Sequence, residues 1–256
     1  MKLGFLGTGN ITSDVVTGIC NSKLKVNKIF ISPRNKNKAK KLKRKFKKIA
    51  IAKNNQEVVD KSDWVFIGVL PKVAEKILPK LKFKKNQVVV SFVATLSLAK
   101  LKNKINSKVN LVRAIPMPPI SLGLGPVAMC PPNIKVKNFF NKVGTSIEIK
   151  NEKLSNNFWA ISGTMAAFYE TIKTLSDWLV KNKIKRDQSQ KYITSLYFAL
   201  AGLVLKNSNK NLKKFVLDSQ TPGGLNWQGV NHLRKAGYYK SLQASLNNLL
   251  KRLNKS

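Results

Sequence analysis

The chain opens with an apolar strand that runs directly into a glycine-rich turn and then into a helix. The strand spans residues 3–6, and the turn is Gly7-Thr8-Gly9-Asn10. A buried strand needs glycine to turn sharply into a helix, and a second glycine lets backbone N–H groups approach a pyrophosphate at the helix N-terminus. Thr12 stands where a third glycine is usual. The pattern predicts the phosphate-binding half of a dinucleotide site.

The charge pattern after this turn distinguishes between two related cofactors. No Asp or Glu lies between Asp14 and Glu57. A site selective for NAD usually places a carboxylate about twenty residues after the glycines, where it binds the ribose 2′-hydroxyl. The second strand instead leads into Ser32, Arg34 and Asn35, whose hydroxyl and guanidinium suit a 2′-phosphate. The sequence therefore predicts NADP(H) over NAD(H), while Arg34 as one more solvated cation is the alternative interpretation.

The formal charge of +37 suggests a nucleic-acid-binding protein at first sight. However, only six of the 48 basic residues are arginine, and the lysines are spread along the whole chain. The dense run at residues 36–48 is most simply the exposed face of a helix. Solvated lysine-rich surfaces are thus favoured over a nucleic-acid interface.

The cysteines and the apolar runs indicate the cellular compartment in which the protein is found. Cys20 and Cys130 are too few and too isolated for a disulfide framework or a metal site. A reducing compartment is the simplest inference. The N-terminus lacks a signal-peptide pattern, and no run approaches the roughly twenty apolar residues of a membrane span. We expect a soluble cytoplasmic protein without a metal.

The periodicity of the chain changes near residue 150. Residues 1–150 alternate strand-like and helix-like segments, which is typical of a parallel sheet with crossover helices. Residues 151–256 have helical periodicity only, with long helices predicted at 154–181 and from Asp187, as N-cap, to Lys206. The prediction is an α/β fold: an N-terminal Rossmann-type dinucleotide-binding domain, 1–150, followed by an all-helical domain, 151–256.

The first long helical stretch is more apolar than a small helical domain needs. The excess residues are Phe158, Phe168, Tyr169, Trp178 and Leu179. Such an excess indicates burial against a second copy of the chain. The helical domain is therefore predicted to dimerise.

A second glycine-rich motif follows at residues 219–229. Its Pro222-Gly223-Gly224 segment predicts a tight turn between helices, with backbone N–H groups open to an anion at the start of the next helix. A plain interhelical turn is the alternative interpretation of this motif alone.

Several short motifs occur along the chain in a definite order. They are Gly4-Phe5-Leu6-Gly7-Thr8-Gly9-Asn10, Asn55 with Glu57, Val69-Leu70-Pro71-Lys72, Arg113-Ala114-Ile115-Pro116, Ser162-Gly163, and Pro222-Gly223-Gly224 followed by Gly237. Together they resemble pyrroline-5-carboxylate reductases over nearly the full length. The resemblance implies reduction of a carboxylated five-membered cyclic imine to proline with NAD(P)H. It also implies an intertwined dimer, each active site lying between one protomer's nucleotide domain and a partner's helices.

The resemblance implies a set of cofactor contacts. It assigns the pyrophosphate turn, a 2′-phosphate loop, an asparagine at the adenosine ribose, and residues near the nicotinamide. In this sequence they are Gly7, Gly9, Asn10, Ile11, Ser32, Arg34, Asn35, Asn55, Val69, Leu70, Pro71 and Ala94.

The chain departs from the family pattern near the nicotinamide and the substrate. Leu70 replaces a lysine, Met117 an asparagine, and Met165 a glycine. Ala166 replaces a proline, and Asn226 stands in place of a threonine after the paired glycines. Cofactor binding is thus better supported than substrate identity, and another small imino or keto acid stays open as the substrate.

For the substrate, we expect the backbone N–H groups of Gly223 and Gly224, with the Asn226 amide, to hold its carboxylate. Ser162 or Thr164 would hydrogen-bond the substrate from the first long helix. Further along that helix, Glu170 would place a proton or a water, or would simply pair with a lysine. The lone histidine, His232, has a poor context for catalysis.

Three hypotheses follow. The first is an NADPH-dependent reductase of a cyclic imine, most simply 1-pyrroline-5-carboxylate. The second is a related reductase of another imino or keto acid, and the third is a non-catalytic nucleotide-binding or basic nucleic-acid-binding protein. A β-hydroxyacid dehydrogenase ranks below these, because Lys173 lacks the flanking residues that such an enzyme needs.

Overall fold

Leu3, Phe5 and Leu6 are fully buried in the computed structural model, in a central strand of a sheet. The structure describes residues 1–105 and 108–255, which form two compact units: residues 1–159 with the last few residues from Leu253, and residues 160–252. The strands of the first unit are β1 Lys2–Leu6, β2 Lys28–Ile31, β3 Ile49–Ile51, β4 Trp64–Ile67, β5 Val88–Ser91, β6 Asn110–Ile115, β7 Pro126–Cys130 and β8 Thr145–Glu148.

The strands form one sheet in the order β3-β2-β1-β4-β5-β6-β7-β8. Neighbours are parallel except for β6 and β7, which are antiparallel. The order reverses at β1, which pairs with β2 on one side and β4 on the other. Ligands of such sheets bind outside the carboxyl ends of the strands at this reversal point. The predicted α/β fold is confirmed.

Helices connect and follow the strands. The N-cap side chains of α2, α3, α5 and α6 each accept a hydrogen bond from the backbone of the first turn, which satisfies a donor that the helix leaves open. The helices are α1 Asn10–Asn21, α2 Lys36–Lys45, α3 Asn55–Asp60, α4 Pro71–Ile77, α5 Leu98–Lys104, α6 Ile134–Phe140, α7 Glu152–Ser162, α8 Met165–Lys181, α9 Arg186–Lys206, α10 Leu212–Asp218, α11 Leu225–Lys235 and α12 Tyr238–Asn254.

Aromatic side chains fill the core on one face of the sheet. The ring of Phe5 stacks on that of Phe66 with centroids 4.6 Å apart, and Phe139 and Phe140 of α6 contact Phe66 as well. Burial of each phenylalanine stabilises the fold by roughly 2–3 kcal/mol. The carboxyl end of β1, which leads into the glycine turn, therefore rests on a well-packed core.

The second unit has almost no interior of its own. Within α8 and α9 only Ser176, Ser189 and Ile193 are buried, and the two serine hydroxyls lie 2.8 Å apart. Trp178 and Phe198 are 62% and 71% exposed. A helix that is apolar almost all round is normally buried, so the exposed apolar surface of α8 and α9 is expected to pack against another protein surface.

Two predicted helix boundaries in this region are wrong. The single helix predicted for residues 154–181 is divided into α7 and α8 at Gly163 and Thr164, where the Thr164 hydroxyl donates to the Ile161 carbonyl at 2.7 Å. Asp187 is not an N-cap; it lies in the first turn of α9, whose N-cap is Lys185. Its charge still complements the positive end of the helix dipole.

Among the described residues, none of the helices has both the length and the apolar character needed to cross a membrane. The same residues contain no group of His, Cys, Asp or Glu side chains suited to a metal ion.

Candidate functional site

The turn after β1 has a backbone shape that requires glycine at its first position. Gly7 has φ +95°, and a Cβ there would lie 2.5 Å from the Gly68 carbonyl oxygen. Its N–H donates to the Ser32 hydroxyl at 3.0 Å, and the Thr8 hydroxyl donates to the Ser32 carbonyl at 2.8 Å. These bonds hold the turn against the end of β2.

Gly9 is the N-cap of α1 and faces open space. A Cβ at Gly9 would find no neighbour nearer than the Gly68 carbonyl oxygen, 3.9 Å away. Asn10 and Ile11 follow in the first turn of α1, which contains no acidic residue. Open backbone N–H groups and a positive dipole end make this place suited to a phosphate.

Thr12 fits because the neighbouring strand supplies the missing space. A Cβ on Gly68, just after β4, would lie 2.2 Å from the Thr12 Oγ1 atom. The Thr12 side chain therefore occupies room that a larger residue at position 68 would fill. A third glycine in the turn would normally allow close packing of the helix on the sheet. Here Gly68, on the facing segment, allows the same close packing.

A cleft of about 950 Å³ lies over these turns. It is formed entirely by the first unit, at the carboxyl ends of β1, β2, β4 and β5. Its lining residues are Gly7, Thr8, Gly9, Asn10, Ile11, Arg34, Asn35, Lys36, Asn37, Gly68, Val69, Leu70, Val73 and Phe92.

One end of the cleft is cationic. Arg34 and Lys36 line it and are exposed, together with Asn35, whose Oδ1 accepts the Lys38 N–H and caps α2. The described first turn of α2 has no acidic residue. This end can pair with an anionic group and offers no carboxylate to a ribose hydroxyl, as the charge pattern predicts.

Ser32 and Asn55 lie beneath the cleft and are absent from its lining. Ser32 is 1% exposed, and its hydroxyl donates to the Asn55 Oδ1 at 2.7 Å or to the Phe5 carbonyl at 3.2 Å, while it accepts from Gly7. The pair ties the ends of β1 and β2 to the start of α3. In this structure the Ser32 hydroxyl therefore serves the loop geometry, and Arg34 faces the ligand side.

At the opposite end, Val69 and Leu70 line the cleft, and Leu70 is 73% exposed. Pro71 begins α4 just outside the lining. Ala94, after β5, is also outside it, and its carbonyl accepts a hydrogen bond from the Arg113 guanidinium. Met117, at another departure from the family pattern, lies in the loop after β6 and is half-buried.

Arg113 is the centre of a buried polar cluster. Its guanidinium, 3% exposed, pairs with Glu152 at the start of α7 and lies 4.1 Å from the Trp159 ring centroid. Glu152 also accepts the Leu98 N–H at 2.7 Å. Burial lowers the pKa of Arg113, and the Glu152 carboxylate opposes that shift; an arginine stays charged throughout. The cluster joins the loop after β5 to α7.

The predicted substrate residues lie on two parts of the helical region. Ser162 ends α7, and Thr164 precedes α8. Gly223 has φ +73° in the turn between α10 and α11, where Gly224 is the N-cap of α11. Asn226 follows in the first turn, exposed, and its Nδ2 donates to the Ser219 carbonyl at 2.9 Å.

Glu170 is exposed on α8 and lies 3.5 Å from the Lys173 ammonium. Lys173 also pairs with Asp177 at 3.2 Å, and these neighbours raise its pKa. The alternative interpretation of Glu170 as an ion-pair partner thus has a contact in the structure. His232 is exposed on α11.

Sequence reasoning did not assign six of the lining residues. Thr8, Lys36 and Gly68 directly adjoin assigned positions, and Asn37 follows Lys36, so their place in the sequence could have identified them. Val73 and Phe92 are ordinary apolar residues whose role becomes visible only through the sheet order. The unassigned set is Thr8, Lys36, Asn37, Gly68, Val73 and Phe92.

Two family models match separate parts of the chain. A model described as NADP oxidoreductase coenzyme F420-dependent matches residues 2–95, and the pyrroline-5-carboxylate reductase dimerisation model matches residues 152–255. Among curated proteins, pyrroline-5-carboxylate reductase 3 of Danio rerio is 26% identical over 93% of this chain and 85% of its own. The Aquifex aeolicus pyrroline-5-carboxylate reductase is 26% identical over 96% and 94%.

Solved structures are similar over the whole chain. The Plasmodium falciparum pyrroline carboxylate reductase with NADP bound has a TM-score of 0.84 and 25% identity, covering 99% of this chain and 97% of that one. The Streptococcus pyogenes 1-pyrroline-5-carboxylate reductase has a TM-score of 0.83 and 23% identity, covering 100% and 99%.

The fold and the cleft define a Rossmann-type oxidoreductase domain joined to a helical dimerisation domain. The chain belongs to the pyrroline-5-carboxylate reductase family. The dimerisation match also supports homo-oligomerisation, in agreement with the apolar, uncovered surface of the second unit.

Proposed function

We propose that the protein is an NADPH-dependent reductase that converts 1-pyrroline-5-carboxylate to L-proline. The observation that carries the proposal is a glycine-cradled cleft with a cationic, acid-free end, in a chain similar over nearly its full length to named pyrroline-5-carboxylate reductases. We further propose that the domains are residues 1–150 and 151–256. A cytoplasmic location is proposed because both cysteines are free.

The residues fit the cofactor because the Gly9 position leaves open space next to the α1 N-terminus. Gly7, Gly9, Asn10 and Ile11 would hold the pyrophosphate, and Arg34 with Asn35 the 2′-phosphate. The remaining contacts proposed are Asn55, Val69, Leu70, Pro71 and Ala94, while the buried Ser32 would act through the glycine turn that it holds in place. When bound, NADPH supplies the hydride.

A protonated imine is already electron-poor, so the protein needs mainly to position it and exclude water. The Gly223 and Gly224 N–H groups and the Asn226 amide would bind its carboxylate. Ser162 or Thr164 would hydrogen-bond the imine side. Glu170, if it leaves Lys173 in the assembled enzyme, would hold a proton or a water.

The purified protein should consume NADPH when 1-pyrroline-5-carboxylate is added and should form proline. NADPH binding without turnover of this imine would contradict the assigned substrate. A panel of other cyclic imines and keto acids at fixed NADPH then tests the second candidate, which the departures at Leu70, Met117, Met165 and Asn226 favour. Binding of DNA without any reduction would indicate the third hypothesis.

Arg34→Gln is expected to raise the KM for NADPH about tenfold and to leave that for NADH nearly unchanged, because only NADPH has the 2′-phosphate. The measurement is steady-state kinetics with each cofactor. Arg44→Gln, in the last turn of α2, is the control and should behave as wild type. An equal effect on both cofactors would contradict the assignment of Arg34.

Leu200→Glu is expected to weaken dimerisation at least tenfold. Tyr192, Leu196, Leu200 and Leu203 share one stripe of α9 and are 41–65% exposed in the single chain, so burial of a charge in that stripe is costly. Sedimentation over a range of concentrations measures it. Lys191 is already polar and exposed on the same helix, so the Lys191→Glu variant should dimerise as the wild type does. If Leu200→Glu leaves dimerisation unchanged, the interface lies elsewhere.

A further inference from the structure

Lys38 differs from the other lysines of α2 in its surroundings. It is half-buried, whereas Lys40 and Lys41 are exposed. Its ammonium donates a hydrogen bond to the Asn10 Oδ1, so its side chain crosses from α2 to the first turn of α1. The lysine-rich run 36–48, predicted to be a solvated face, thus contains a lysine that makes a contact with another helix.

Lys38 is not in the lining of the cleft, but it is hydrogen-bonded to a residue on each of two cleft walls. Asn10 lines the wall that carries the glycine turn, and Asn35, which accepts the Lys38 N–H at 3.2 Å, lines the cationic wall. Asp14, one turn beyond Asn10, interacts electrostatically with the same ammonium. Burial raises the pKa of Asp14, and the positive charge of Lys38 opposes that shift. An ammonium has three N–H donors, and Asn10 takes one of them.

We propose that Lys38 is a second specificity residue for the 2′-phosphate of NADPH and binds it together with Arg34. The inference rests on the proposed function. A 2′-phosphate carries more than one negative charge, which a single exposed guanidinium neutralises only in part. Lys38 lies in the first turn of α2, directly after Arg34 and Asn35 of the cationic wall, whereas the pyrophosphate has the backbone N–H groups of α1 as its own donors.

The test is a binding titration of the full-length protein with NADPH and with NADH, followed by the fluorescence of the reduced nicotinamide. Lys38→Met should weaken NADPH binding about tenfold and NADH binding less than twofold. Lys38→Arg, which keeps the charge, should retain NADPH affinity within about threefold. Lys41→Met on the exposed face of the same helix is the matched control and should change neither affinity.

Adenosine 2′,5′-bisphosphate and AMP give a second measurement that needs no nicotinamide. Wild type should prefer the bisphosphate, and Lys38→Gln should lose most of that preference even if the methionine variant does not fold. Equal weakening of NADPH and NADH would assign Lys38 to the pyrophosphate and overturn the proposal, as would unchanged affinities. Wild type that binds neither nucleotide would instead contradict the proposed function itself.

Discussion

Gly9→Ala is expected to lower the affinity for NADPH about a hundredfold while the fold stays intact. The new methyl group has room in the protein, since its nearest neighbour would be 3.9 Å away, and φ is −84° there. It would, however, occupy the space through which the pyrophosphate approaches the backbone of α1. Fluorescence titration measures the affinity, and thermal unfolding should show a loss below about 1 kcal/mol.

Gly7→Ala provides the contrast for this prediction. Its methyl group would meet the Gly68 carbonyl at 2.5 Å in a backbone conformation with φ +95°, so the variant should lose both stability and cofactor affinity. If Gly9→Ala binds NADPH normally, the pyrophosphate does not lie over this turn and the cofactor site has to be reassigned.

Glu152→Ala is expected to destabilise the protein by about 3 kcal/mol. The substitution leaves the Arg113 charge buried without its carboxylate partner, and it removes the acceptor of the Leu98 N–H. Urea unfolding at one fixed protein concentration measures the effect, because association contributes to the stability of an oligomer.

The chain offers a matched control in Glu148, whose side chain is 26% exposed against 28% for Glu152. Glu148 pairs with Lys137, which is 38% exposed, so Glu148→Ala should cost less than about 1 kcal/mol. Arg113→Met combined with Glu152→Ala should be more stable than Glu152→Ala alone, since no unpaired charge remains. Equal losses for Glu148→Ala and Glu152→Ala would show that burial of Arg113 does not set the cost.

The α/β fold could be predicted because the residues of the first unit repeat a strong local signal. Strands that are buried over most of their length, such as Trp64–Ile67, are continuous apolar runs. The antiparallel direction of β7 could not be predicted, since strand direction depends on the path of the chain after Leu122. The break between α7 and α8 depends on two residues, Gly163 and Thr164, inside an apolar stretch that reads as continuous.

The cleft could be predicted where a backbone constraint leaves a mark in the sequence. Gly7 and Gly9 are such marks, and Arg34 is conspicuous because acids are missing around it. Ser32 shows the limit: its residue type suits a phosphate, but burial beneath the turn depends on three-dimensional packing. The Arg113 cluster was equally hidden, because Glu152 lies 39 positions away along the chain.

The exchange between Thr12 and Gly68 bears on how such sites are searched for. What the architecture requires at the crossing of α1 and β4 is an empty volume, and either of the two facing segments can provide it. A search that counts glycines in one loop would overlook a chain whose vacancy is supplied 56 positions later in the sequence. The packing at this crossing therefore constrains the combined size of the two facing residues, and not the identity of either one.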